Sequence, residues 1–157
     1  MKGKMKAIIY FAAAVYAAFM LILLFGRPSA YSPSLSYWEQ LGHSVNLVPF
    51  STVSEYLTYL FDGGDMVRQA IINLGGNVIM FIPLGVFLPL LWEKPRRFLP
   101  HLLATAAIIT SVELIQLLTL RGTLDIDDLI LNIVGSAVGY IAYILCVKLR
   151  KIIKNNR

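Results

Sequence analysis

The stretch Ser111–Gly139 reads SVELIQLLTLRGTLDIDDLILNIVGSAVG. Strongly apolar runs flank it, yet it carries Glu113, Gln116, Arg121, Asp125, Asp127, Asp128 and Asn132. Carboxyls held in an apolar setting suit proton transfer or the binding of a cationic group. A guanidinium beside them suits holding a phosphate or carboxylate. Asn77 and Asn73 add two amides, four residues apart on one helical face. Other chemistry is poorly represented. There is no Cys/His cluster, no nucleotide-binding glycine motif and no nucleophile elbow, so no metal and no other cofactor is expected. The pair Gly75-Gly76 before Asn77 is taken as a place of close helix packing, not a phosphate cradle.

The surrounding sequence explains why these residues are costly. The chain has 157 residues, is 57% hydrophobic and 15% charged, and has a mean hydropathy of +0.69. Soluble domains are about 45–50% apolar and about 25% charged. The excess exceeds what a soluble core of this size can hide, which points to an integral membrane protein of one domain spanning 1–157. Four apolar segments, at about 7–25, 71–92, 98–120 and 129–147, each have the length of a membrane span. Lys2, Lys4 and Lys6 precede the first, but its apolar run exceeds the ~7–15 residues of a signal-peptide core, so it is an uncleaved signal anchor. The expected fold is all-α and polytopic, with four transmembrane helices and an amphipathic helix in the first outer loop. Lone Cys146 excludes an internal disulfide and is expected to be a packing residue.

Placing both termini in the cytoplasm puts eleven Lys/Arg on that side and three, Arg27, Arg68 and Arg121, on the other. That asymmetry obeys the positive-inside rule. It also accounts for the net charge of +5 without a nucleic-acid partner, the tail KLRKIIKNNR acting as an anchor on anionic lipid. His43 and His101 then fall on opposite sides of the membrane. The outer loop, 26–70, is too long for a plain hairpin. GRPSAYSPSLSYW is turn-rich, and TVSEYLTYLF has a capping-box pattern, Thr52 with Glu55. Val53, Tyr56, Leu57, Leu60 and Phe61 share a helical face, and Gly63-Gly64 ends the helix.

Topology brings the polar residues to one depth. Glu113 lies seven residues before Leu120, ~10 Å below the outer end at 1.5 Å per residue. Gln116 is one turn above it. Asp128, Asn132, Gly135 and Gly139 make one stripe, in which GxxxG lets a neighbouring helix approach closely. Pro83 removes a backbone donor in mid-membrane and should kink the second span. Arg121 and Asp125 sit just above, where Arg121 can pair with an aspartate. Interhelical hydrogen bonds are worth ~0.6 kcal/mol on average and at most ~2. A charged side chain at the bilayer centre costs ~2.5–3.5 kcal/mol or more. Structural cross-linking can explain Asn77, Gln116 and Asn132 one by one, but Glu113, Arg121 and Asp128 together are better explained as a site.

The order NLVPF at 46–50, Asn77-x3-Phe81-Ile-Pro83-Leu-Gly85, Glu113-x2-Gln116, Arg121, Asp125-x2-Asp128 and Asn132-x2-Gly135-x3-Gly139 resembles the VanZ-like family of bacterial membrane proteins. The resemblance covers about residues 45–145 and implies a multi-helix protein of the bacterial cell membrane. The family's namesake is associated with resistance to teicoplanin-type glycopeptides, which carry a lipid tail. Asn77, Glu113, Gln116, Arg121, Asp128 and Asn132 match its polar pattern, with Asp128 preferred to Asp127 because it stands four before Asn132. The expected function is binding of an amphiphile in the outer half of the bundle, a lipid-linked wall precursor or a lipoglycopeptide, with membrane lipids as further partners. Two alternatives stand beside it: an intramembrane enzyme using Glu113 as acid or base on a lipid headgroup, and a small oligomeric transporter.

Overall fold

The computed structural model describes residues 3–26, 28, 29, 31–92 and 97–156. Lys2, Arg27, Lys94, Arg96 and Arg157, all counted in the charge asymmetry, lie outside them. Among the described residues there are six helices: α1 (Gly3–Phe25), α2 (Tyr37–His43), α3 (Ser51–Asp62), α4 (Val67–Leu91), α5 (Phe98–Leu118) and α6 (Ile126–Asn155). Two short strands, β1 (Val45–Asn46) and β2 (Leu124–Asp125), pair in parallel with Val45 opposite Leu124 and Asn46 opposite Asp125. Helices α1, α4, α5 and α6 are long and apolar enough to cross a membrane. Large apolar side chains such as Phe11, Ile22, Ile79, Leu103 and Ile141 are exposed around the bundle, the pattern of a surface that faces lipid. Successive long helices alternate in direction, so Gly3, Leu91, Phe98 and Asn155, the outer termini of the four, share one end of the bundle. The 26–66 loop and the α5–α6 connection share the other, here called the loop end.

The centre of the fold is α4 against α6. A Cβ on Gly135 would stand 2.1 Å from the Val78 carbonyl oxygen, and one on Gly139 would stand 1.9 Å from that of Ile82. Gly85 meets the Ser136 carbonyl in the same way, at 2.0 Å. Only hydrogen fits at these three positions, and the two backbones touch there without intervening side chains. Helix α4 continues through Pro83 and Pro89. Gly75 and Gly76 behave differently from expectation: a Cβ on either would meet nothing within 4 Å. They leave open space and do not pack a neighbouring helix. Beside the α4–α6 seam, Met20, Phe81 and Ile109 form the apolar core, with Tyr16, Leu24, Met80, Leu84, Leu129 and Ile133 around it. Cys146 is exposed, so it is not the packing residue expected from its apolar setting.

The loop end is held by side chains that cap helix termini. Helix α2, which starts at the last two residues of the turn-rich stretch GRPSAYSPSLSYW, begins with a reciprocal capping box between Ser36 and Glu39. The capping box expected at Thr52 and Glu55 does not form. Helix α3 has Phe50 at its N-cap, in the left-handed region at φ 64°, and Phe50 has no capping side chain. Glu55 instead accepts from the Tyr59 hydroxyl. Tyr59 is held above the usual phenol value by that hydrogen bond to a carboxylate. Along α3, Val53, Tyr56 and Leu60 are half-buried, whereas Leu57 and Phe61 are exposed.

Candidate functional site

Asp125, Asp127 and Asp128 are consecutive enough to look interchangeable, and the fold gives each a different task. Asp125 is the N-cap of α6 and accepts from the Asp127 N–H at 2.8 Å. Its other oxygen accepts from Thr52 Oγ1 at 2.6 Å and from Asn46 Nδ2 at 3.2 Å. Asp127 is fully buried and turns to α3, accepting from the Phe50 N–H at 2.5 Å and the Val53 N–H at 3.0 Å. Those are the two backbone donors that a capping box would satisfy, here both served by one carboxylate from another helix. Asp128 points the other way, along the stripe it shares with Asn132, and accepts from Asn77 Nδ2.

Asp128 and Asn132 thus face a cavity of about 530 Å³ between α1, α4, α5 and α6 at the loop end. Its wall includes Asn73, Asn77, Glu113, Gln116 and Arg121 as well. Of the amides, carboxyls and guanidinium singled out around the apolar runs, all but Asp125 and Asp127 line this one space. Gly76 lines it too, which gives the bare backbone there a role: it keeps the space open. Leu23, Leu24, Ile72 and Met80 supply an apolar side. Glu113 is 7% exposed and Asn132 is 3% exposed. Three oxygens in this cavity, Asn73 Oδ1, Glu113 Oε2 and Asn132 Oδ1, are buried with no hydrogen-bond partner among the described residues. Buried polar atoms without partners cost ~1–3 kcal/mol each. That cost is hard to reconcile with a purely structural network, whose members should satisfy one another.

Gln116 and Arg121 have structural work as well. Gln116 Nε2 donates to the Leu24 carbonyl at 2.9 Å, and Arg121 donates to the Phe25 carbonyl. Both tie the C-terminal end of α1, whose last carbonyls lack intrahelical partners. A Schellman turn aims Arg121 there: the Leu120 N–H bonds the Leu117 carbonyl at 2.9 Å, and the Arg121 N–H bonds that of Gln116 at 2.9 Å. Leu120 occupies the left-handed position usually held by glycine, at φ 51°, and its side chain is buried. From the loop, Tyr37 OH donates to the Leu118 carbonyl at 2.8 Å, capping the end of α5.

Sequence reasoning missed a second polar group deeper in the bundle. His101 Nε2 lies 3.1 Å from Ser136 Oγ, and Thr105 Oγ1 lies 2.9 Å from the same atom. All three residues are fully buried, and His101 stacks on Tyr140 with ring centroids 4.6 Å apart. The available signal was spacing: His101, Thr105, Ile109 and Glu113 recur every four residues and are the buried residues of α5. Ile109, with Phe81 and Met20, is an apolar layer between this inner group and the loop-end cavity. Among the described residues no group of three or more His, Cys, Asp or Glu could hold a metal ion.

No solved structure matches the chain. Protein VanZ of Enterococcus faecium is 32% identical over 109 residues, which are 69% of this chain and 58% of that protein. The chain therefore spans somewhat more than half the length of the curated relative it matches. The family model described as VanZ/LLP1 matches residues 9–147, a range that contains all four long helices in whole or in large part and every residue of the cavity wall. With four helices able to span a membrane and that match over most of its length, the chain is a multi-pass membrane protein that belongs to the VanZ/LLP1 family.

Proposed function

We propose that this protein binds the polar end of an amphiphile in the loop-end cavity, and that through this binding it contributes to protection of the bacterial envelope against lipid-tailed glycopeptides of the teicoplanin type. The observation that carries the proposal is the set of three unpartnered buried oxygens, on Asn73, Glu113 and Asn132, in one cavity with an apolar side. Polar atoms left unpaired at one place are what a ligand with complementary groups would satisfy. The distribution of Lys and Arg supports a loop end outside the cell membrane and chain termini inside. A headgroup at the outer leaflet would then stand at the depth of Glu113. Membership of the VanZ/LLP1 family supports the link to glycopeptides. The apolar layer of Met20, Phe81 and Ile109 favours binding over conduction, since it separates the cavity from the opposite end of the bundle.

The test is susceptibility. Cells expressing the protein should survive a higher concentration of a lipid-tailed glycopeptide than cells without it. Glu113→Ala and Asn132→Ala should each abolish that difference at unchanged abundance in the membrane. Retention of protection by both variants refutes the proposal. Glu113→Gln separates binding from catalysis, because it keeps shape and removes the titrating proton. Protection kept by Gln and lost by Ala favours binding.

A further inference from the structure

The buried side-chain atoms of the cavity that lack a partner are all of one kind. Asn73 Oδ1, Asn132 Oδ1 and Glu113 Oε2 are acceptors. A fourth acceptor group, the Asp128 carboxyl, receives one hydrogen bond from the Asn77 amide. We propose that the cavity selects amphiphiles whose headgroup carries a primary ammonium, held by Glu113, Asp128, Asn73 and Asn132. This deepens the proposed function and rests on it.

The choice among headgroups follows from donor and acceptor counts. An ammonium has three donors and no acceptor, matching three open acceptors in number. Its charge also opposes the two carboxyls of the same wall, whose cation, Arg121, is engaged with the Phe25 carbonyl at the end of α1. A phosphate brings only acceptors, so set against these oxygens it would add lone pairs to lone pairs. A sugar hydroxyl brings one donor with two acceptor sites, so set against these oxygens it satisfies one of them and adds lone pairs of its own. Protonating Glu113 would supply one donor from within the protein and still leave two acceptors open. The space is adequate, since about 530 Å³ lies within the ~300–1,000 Å³ of small-molecule pockets. Leu24 and Met80 offer an apolar surface to the first carbons of a tail.

The purified full chain in a neutral detergent is titrated with lysophosphatidylethanolamine and lysophosphatidylglycerol of equal acyl chain, and occupancy is read by native mass spectrometry. Free ethanolamine is a third arm, which tells a tail-dependent site from one for the free amine. The expected result is at least ten-fold tighter binding of the ethanolamine lipid than of the glycerol lipid. Glu113→Gln and Asn132→Ala should each erase that preference. Should either variant fail to give a monodisperse protein, Asn73→Ala takes its place. Equal binding of both lipids, with loss of both in Glu113→Ala, overturns the ammonium selectivity and leaves the amphiphile site standing. No binding of any probe overturns both. A preference that survives Glu113→Gln and Asn132→Ala places ammonium recognition elsewhere and overturns the inference.

Discussion

Replacing Asp127, in the first turn of α6, by alanine should loosen α3 from the bundle more than any single change within the loop that carries α3. Its carboxylate is fully buried and accepts from the backbone N–H groups of Phe50 and Val53, at 2.5 and 3.0 Å. Hydrogen bonds to a charged group contribute ~1.5–3 kcal/mol each, so the pair is worth ~3–6 kcal/mol at most. The first residues of α3 are only half-buried, and water can reach part of what the carboxylate leaves behind. A net cost of ~2–4 kcal/mol is therefore expected, above the ~1 kcal/mol typical of a lost helix cap. Asp127→Asn keeps one acceptor and should cost about half as much, since its amide N–H groups face backbone donors. Hydrogen exchange of peptides covering 51–62, measured by mass spectrometry on the protein in micelles, reads this directly. A cost of ~2 kcal/mol corresponds to roughly thirty-fold faster exchange through local opening. Exchange within three-fold of wild type in Asp127→Ala would refute the capping role assigned to this carboxylate.

Gly139→Ala should separate α4 from α6, because its Cβ would stand 1.9 Å from the Ile82 carbonyl oxygen; a loss of ~1–3 kcal/mol is expected, seen as a lower thermal midpoint in detergent. Gln116→Ala removes one tie to the end of α1 and should cost ~0.5–1.5 kcal/mol, with faster exchange confined to the last turn of that helix. Glu39 is held below the usual carboxylate value by its hydrogen bonds to the Ser36 hydroxyl and backbone. Its stabilisation of α2 is therefore complete above the unfolded value of 4.5 and is lost as pH falls through the lower folded value, so exchange in 37–43 should rise in acid and Glu39→Gln should remove that pH dependence. Cysteines at Asp62 and Arg97 in a Cys146→Ser background should react with an impermeant thiol reagent on intact cells at Asp62 only; the opposite pattern would invert the proposed orientation.

The long helices were legible because each is a run of apolar residues of membrane-spanning length, a signal independent of tertiary detail. The GxxxG stripe at Gly135 and Gly139 was legible for a related reason: small residues one turn apart have little use except close approach. Gly76 shows the limit of that logic, since its missing side chain opens a cavity instead. The convergence of Asn77, Glu113, Asp128 and Asn132 followed from topology and rise per residue alone. What local sequence did not carry was tertiary capping. Nothing near Thr52 says that its helix start will be satisfied by Asp127, 74 residues from Val53. Likewise Arg121 looks like a partner for nearby aspartates, and the end of α1 it binds lies 96 residues away. The group of His101, Thr105 and Ser136 went unseen because two of its members are small hydroxyl residues of the kind common in apolar helices.

The central claim is that Glu113 and Asn132 serve a ligand and not the fold. Stability and protection, measured side by side for Glu113→Leu and Asn132→Ala, test it most directly. If these oxygens are unpartnered in the resting protein, removing them relieves a buried polar cost. Both variants should then unfold in detergent at or above the wild-type temperature while protection against a lipid-tailed glycopeptide is lost. A fall of many degrees in unfolding temperature, with protection declining only in step with abundance, would contradict the account and make the cluster a structural network.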